Sequence, residues 1–130
     1  MIVCGDLNII RHDSDIYNPA SKVGRPGTTD RERDSFDQIL EKCSLVDSFR
    51  KLNPLRMLVY SHWTERCGIA RKSNWGSRMD YFLTSTTLNK RLQDVTYHAN
   101  IEGADHCPVS LSLKQHDQKE NETVIEEDVQ

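Results

Sequence analysis

The stretch Arg78–Ser85 (Arg-Met-Asp-Tyr-Phe-Leu-Thr-Ser) constrains the fold of this chain more than any other. It reads as a strand, with Met79, Tyr81 and Leu83 on one face and Asp80, Phe82 and Thr84 on the other. A carboxylate inside such a strand is costly unless something pairs with it. That makes Asp80 a site candidate on physical grounds. Gly103-Ala104-Asp105-His106-Cys107-Pro108 is a second candidate stretch. There an acid and an imidazole follow a Gly-Ala turn and precede the period-two run Pro108–Leu113, whose first position tolerates proline. Gly5-Asp6-Leu7-Asn8 ends a third strand-like run, Met1–Cys4. In extended geometry Asp6 and Asn8 project together while Leu7 packs away. A carboxylate beside an amide can hold an attacking water near a phosphate. The same tetrapeptide also reads as a plain strand-end turn.

The rest of the chain supplies the frame. Residues 9–29 read as a long surface loop, with Asn18-Pro19 and Arg25-Pro26-Gly27 as turn signals. Thr29 followed by Glu32 forms a capping box. Phe36, Ile39, Leu40 and Cys43 then recur at helical spacing, which predicts an amphipathic helix over 30–43 with that stripe on a core. Ser44–Pro54 reads as a connection with a helical turn, Leu58–Thr64 as a strand, 86–92 as a turn or short helix, and 93–98 as a strand. Strand, helix, then a run of strands implies an α/β sandwich. The run from Met1 is apolar with nothing before it, so Met1 is expected to be an internal start within a larger fold. The expected domain is 1–114, followed by an acidic disordered tail over 115–130.

The net charge of −3 weighs against a nucleic-acid partner. Its distribution offsets this, because the acidity is concentrated after Gln115 while Lys and Arg gather in 22–33, 50–56 and 66–91. Arg11, Lys22, Arg25, Arg66 and Arg71, with Trp75 beside the last, form a candidate DNA-binding set, since cations next to an aromatic ring suit a nucleic-acid strand. The bland alternatives are a solvated loop and a packing tryptophan. Cys4, Cys43, Cys67 and Cys107 contain no Cys-x-x-Cys, so a zinc site is not expected. All four are expected to be small buried hydrophobes in a reduced, intracellular protein. No membrane-spanning run is visible.

Gly5-Asp6-Leu7-Asn8, Gly76-Ser77-Arg78-Met79-Asp80-Tyr81-Phe82-Leu83 and Gly103-Ala104-Asp105-His106-Cys107-Pro108-Val109, in this order, resemble the C-terminal half of the exonuclease III/class II apurinic–apyrimidinic endonuclease family. That family belongs to the endonuclease/exonuclease/phosphatase, DNase I-like superfamily. Asn18-Pro19, Arg31-Glu32-Arg33 and Val46-Asp47-Ser48-Phe49-Arg50 are similar as well. The resemblance covers about residues 1–114. It implies half of a four-layer α/β sandwich with mostly antiparallel strands, and Mg²⁺-dependent phosphodiester hydrolysis on DNA, with Mn²⁺ as the alternative ion. By resemblance, Asp6, Asn8, Asp80 and His106 are catalytic. Asp6 would activate water, Asn8 would orient it, His106 would bond a phosphate oxygen, and Asp80 would hold His106 protonated. Asp105, with Asp6, Asn8 and His106, would hold the metal.

The substrate implied is DNA, including DNA with abasic sites, in base excision repair by a monomer. The compartment implied is the nucleus in a eukaryote and the cytoplasm otherwise. Family members carry further metal ligands in an N-terminal half, so residues 1–130 alone are expected not to cleave. Lys22 and Arg25 stand where the human-type enzyme has two DNA-contacting asparagines. His62 and Ser77 stand where the abasic-sugar pocket has aromatic residues. Two other readings are a LINE-type retrotransposon endonuclease or other superfamily phosphodiesterase, and a catalytically silent fragment that binds only DNA or a partner.

Overall fold

A three-stranded antiparallel sheet of order β1–β5–β2 organises the chain. Its strands are β1 (Ile2–Asp6), β2 (Leu45–Asp47) and β5 (Asp80–Ser85). The computed structural model describes residues 1–64 and 68–116. Helix α1 (Asp30–Lys42) packs on this sheet, and the short helix α2 (Ser48–Leu52) follows β2 directly. Two further antiparallel pairs join β3 (His62–Trp63) to β4 (Gly76–Ser77), and β6 (Leu92–Tyr97) to β7 (Val109–Leu113). Helix α3 (Ile69–Lys72) lies between β3 and β4. The mixed α/β architecture with antiparallel strands is the one the sequence predicts.

The capping box forms as read: Glu32 N–H donates to Thr29 Oγ1, and Glu32 Oε2 accepts from the Thr29 N–H. Such a cap is worth about 1 kcal/mol. Phe36 and Leu40 enter a core with Ile9, Leu45, Tyr81 and Leu83. Ile39 and Cys43 do not follow them and stay exposed. They face an apolar depression of about 910 Å³ shared with Met1, Val3, Leu7 and Leu83. β1 is likewise exposed along its length, because as an edge strand it has only β5 beside it among the described residues. The apolar strand expected at Met1–Cys4 is thus present and exposed.

Other elements differ from the reading. Residues 44–54 contain a true strand, β2, before the helical turn. Leu58–Thr64 yields only the two residues of β3, since Leu58 takes a positive φ of 62° and points into solvent. The 9–29 loop is anchored, with Ile9, Ile10, Ile16 and Asp15 buried and 3₁₀ turns at Asp13–Asp15 and Pro19–Lys22. Only Cys107 of the described cysteines is buried. Cys4 and Cys43 are exposed, and Cys67 lies outside the described residues. The tail beyond His116 lies outside them too.

Candidate active site

The register of β1 on β5 makes Asp6 and Asp80 direct cross-strand partners. Two carboxylates in that relation repel unless a cation lies between them. His106 supplies it: Nδ1 lies 2.7 Å from Asp80 Oδ2, and Nε2 lies 3.7 Å from Asp6 Oδ2. Burial alone would lower the pKa of this imidazole. The hydrogen bond and charge of Asp80, with Asp6 and Asp105 beyond, outweigh burial and raise it. The costly acid of β5 is therefore paired, by the histidine named from sequence. Its side chain is 17% exposed and that of His106 29%, so the pair opens to solvent.

Backbone bonds hold His106 there. Trp63 N–H donates to the Asp105 carbonyl at 3.0 Å, and Cys107 N–H to the Ser61 carbonyl at 2.8 Å. His62 and His106 form an antiparallel bridge between these contacts. Ser61 Oγ accepts from the N–H groups of Met79 and Asp80 at 2.9 and 3.1 Å. Gly76 is required opposite: a Cβ there would sit 2.6 Å from Trp63 Nε1 and 2.7 Å from the His62 carbonyl oxygen. Trp63 Nε1 in turn donates to Asn74 Oδ1 at 3.1 Å.

Asn8 is placed differently from the reading. β1 ends at Asp6, and Asn8 takes a φ of 51°, so the two side chains do not project as strand neighbours. Instead the Asn8 N–H donates to Asp6 Oδ1 at 2.9 Å, a turn that fixes the carboxylate. The tetrapeptide thus follows the turn reading in its backbone. Asp105 is half exposed, and its Oδ2 lies 3.6 Å from His62 Nε2. His62, Asp105 and His106 present ligand atoms within 4.8 Å of one another.

The basic residues separate into three fates. Lys22, Arg25 and Trp75 line one depression of about 380 Å³ with His62 and Ser77. Trp75 is half exposed there and stacks on Tyr17, with ring centroids 5.8 Å apart. Arg11 instead pairs with Asp37 at 2.8 Å and lines a different depression. Arg71 is committed to the carbonyls of Ala104, Ala99 and Ile101 at 2.8, 3.2 and 2.6 Å, and lies over the Trp63 ring. It braces the loop that carries Asp105. Arg66 lies outside the described residues.

A second charged cluster lies beneath the site. Arg78 is fully buried, with Nε and Nη2 on Asp15 at 2.8 and 3.1 Å and with Nη2 on Asp47 at 2.6 Å. Arg50 also reaches Asp15, at 2.5 Å. Burial disfavours the Arg78 charge, but its bonds to Asp47 and Asp15 overcome this and hold it far above the usual range. Tyr97 links the two clusters: its hydroxyl donates to the Asp80 carbonyl at 2.7 Å and accepts from Arg78 Nη1 at 3.3 Å.

The motif set and the fold that carries it meet in one group of known proteins. The model of the Endonuclease/Exonuclease/phosphatase family matches residues 1–106. The chain belongs to that family. It is 41% identical over 113 residues to an exodeoxyribonuclease of Bacillus subtilis, a match covering 87% of the chain and 44% of that protein. It is 39% identical to the DNA repair nuclease APEX1 of Danio rerio, covering 87% of the chain and 36% of that protein. The solved AP endonuclease LMAP from Leishmania major superposes with a TM-score of 0.81 at 33% identity, over 88% of the chain and 35% of that structure. The chain therefore spans less than half the length of these relatives. The fold is that of DNase I-like AP endonucleases over this span.

Proposed function

We propose that the chain carries the phosphate-facing part of a Mg²⁺-dependent DNA phosphodiesterase site. Its reaction is cleavage on the 5′ side of an abasic site, or removal of a 3′ end, in base excision repair. One observation supports this reading above the others: the β1–β5 register sets two carboxylates side by side, and His106 is held between them. A protonated imidazole so fixed is a pre-aimed donor for a non-bridging phosphate oxygen as charge builds on it. Asp80 is the positioning residue, fixing the ring through Nδ1. Asp6 takes a proton from the attacking water, and Asn8 orients that water and contacts the phosphate. The water oxygen bonds to phosphorus as the P–O3′ bond breaks, and O3′ takes a proton from solvent, leaving a 3′-hydroxyl and a 5′-phosphate.

The donor set suits a divalent ion, because the carboxylates of Asp6 and Asp105 both act on His106 through their charge and carboxylate oxygens are the ligands Mg²⁺ takes. Those two, flanked by Asn8 and His106, would hold Mg²⁺ or Mn²⁺, which when bound neutralises charge on the phosphate. Lys22, Arg25 and Trp75 would meet the DNA strand, with a salt-dependent affinity.

The test replaces the matching segment of the Bacillus subtilis exodeoxyribonuclease with residues 1–113 of this chain. The chimera should nick a duplex carrying an abasic analogue when Mg²⁺ is present. His106→Ala should then lower kcat by about 10²–10³-fold with little change in KM, the cost of losing one pre-aimed donor. A folded chimera that binds DNA but does not cleave it would favour a chain that only binds. Equal cleavage of intact and abasic duplex would remove the repair reading.

A further inference from the structure

His62 has no part in the chemistry above, yet it faces it. Its ring lies 4.8 Å, centroid to centroid, from that of His106. Its Nε2 lies 3.6 Å from Asp105 Oδ2. This proximity is built into the backbone. His62 bridges to His106, and the flanking Trp63–Asp105 and Cys107–Ser61 bonds lock the register. Two imidazoles and a carboxylate therefore converge from two paired segments.

The chemistry of this trio differs from that of a magnesium site. Mg²⁺ prefers oxygen ligands and keeps its waters. Two imidazole nitrogens and one carboxylate are the donors that Zn²⁺, Co²⁺ and related borderline ions take, usually leaving one position open. His106 is also prepared for such a role. Its Nδ1 is occupied by Asp80 at 2.7 Å, which leaves Nε2, 3.7 Å from Asp6 Oδ2, as the ligand atom and provides the carboxylate that commonly supports a metal-bound histidine. Ligand atoms about 2.1 Å from a shared ion lie at most about 4.2 Å apart. The ligand atoms of the trio lie within 4.8 Å of one another, little beyond that limit. Asp105 is half exposed and His62 a quarter exposed, which leaves the ion a way in.

We infer that His62, Asp105 and His106 form a nitrogen-rich site for a borderline transition-metal ion, distinct in its chemistry from the Mg²⁺ requirement proposed above. It uses no cysteine, which is why spacing motifs in the sequence do not reveal it. An ion on His106 Nε2 displaces the proton that a phosphate would accept, so the two occupants exclude each other.

The test uses the 130-residue chain near neutral pH. Zn²⁺ is titrated by calorimetry, and Co²⁺ by its visible ligand-field bands. One ion per chain is expected at this site. His62→Phe should weaken Zn²⁺ about tenfold or more and abolish the tetrahedral Co²⁺ spectrum. Asp105→Asn, isosteric and at a half-exposed position, should weaken it comparably. Mg²⁺ affinity should change by less than about twofold in His62→Phe. Unchanged Zn²⁺ affinity in both variants would overturn the inference. So would inorganic phosphate binding that disappears in His62→Phe while Zn²⁺ binding stays, which would give the imidazole pair to an oxyanion instead. Neither result bears on whether the chimera cleaves DNA.

Discussion

Arg78 and Asp80 are two residues apart in sequence and sit in opposite electrostatic regimes. Arg78 is fully buried, with carboxylates on two sides, and its partners Asp15 and Asp47 are buried with it. Asp80 and His106 are partly open, and the carboxylates around them outnumber the cations. The first cluster satisfies its charges internally, whereas the second leaves donors and acceptors facing water. A closed network can fix the fold and do no chemistry. An open one with surplus carboxylate can take a cation or a phosphate, and it contributes little to stability. Strand β5 joins the two, because Arg78 lies just before it and Asp80 is its first residue.

The difference is broken most severely at Arg78. Arg78→Met removes the shared cation and leaves Asp15 and Asp47 buried, with only Arg50 remaining on Asp15. Loss of one partner from a buried ion pair costs about 3–5 kcal/mol. Urea unfolding followed by far-UV circular dichroism should show that loss, or no folded chain at all. His106→Ala in the open cluster should cost no more than about 1 kcal/mol by the same measurement, in line with exposed pairs. Equal costs at the two positions would mean that the buried cluster does not hold the fold.

Acid sharpens the same contrast more gently. Burial would raise the pKa of Asp15, but its bonds to Arg78 and the charges of Arg78 and Arg50 outweigh burial and lower it. The folded value is thus below the unfolded one. The stabilisation is complete above the unfolded value, near 3.8, and is lost as pH falls through the folded value. Urea midpoints should therefore hold steady from neutrality to about pH 5 as far as Asp15 is concerned, and drop steeply below about pH 4. Asp15→Asn should be less stable at neutral pH, with a shallower acid limb. A limb of unchanged steepness would place the acid sensitivity elsewhere.

What the sequence discloses divides along the same line. The open cluster was legible because Asp6, Asp105 and His106 each stand at a strand end or beside a turn, and because Asp80 reads as a costly carboxylate inside a strand. The helix over 30–42 was legible because Thr29 and Glu32 state its start chemically. The buried cluster was not. Asp15 sits in what reads as a loop, and Arg78 reads as the first residue of a strand. The bonds that define them span 63 and 31 residues. β2 was missed because three residues carry no period. Asn8 was misplaced because its positive φ follows from the turn on Asp6, which outweighed the extended geometry assumed for it. His62 stood in a plain β-run, and only its pairing with residues 105–107 shows what it faces.

Tyr97 tests whether the two clusters communicate. Its hydroxyl touches both, donating to the Asp80 carbonyl and accepting from Arg78. Burial pushes its pKa up to about 12, so it remains a donor at any pH of interest. Tyr97→Phe keeps the ring against Phe49, where the centroids lie 5.2 Å apart edge to face, and removes only the oxygen. Arg78 retains Asp47 and Asp15, so the stability cost should be about 1 kcal/mol, that of one ordinary hydrogen bond. In the chimera the same change should lower kcat only a few-fold, because the Asp80 side chain keeps its bond to His106. A double-mutant cycle with Asp80→Asn separates two outcomes. Additive losses mean that the buried cluster is only a foundation for strand β5. A coupling above about 0.5 kcal/mol means that the Tyr97 hydroxyl transmits the position of Arg78 to the Asp80–His106 pair.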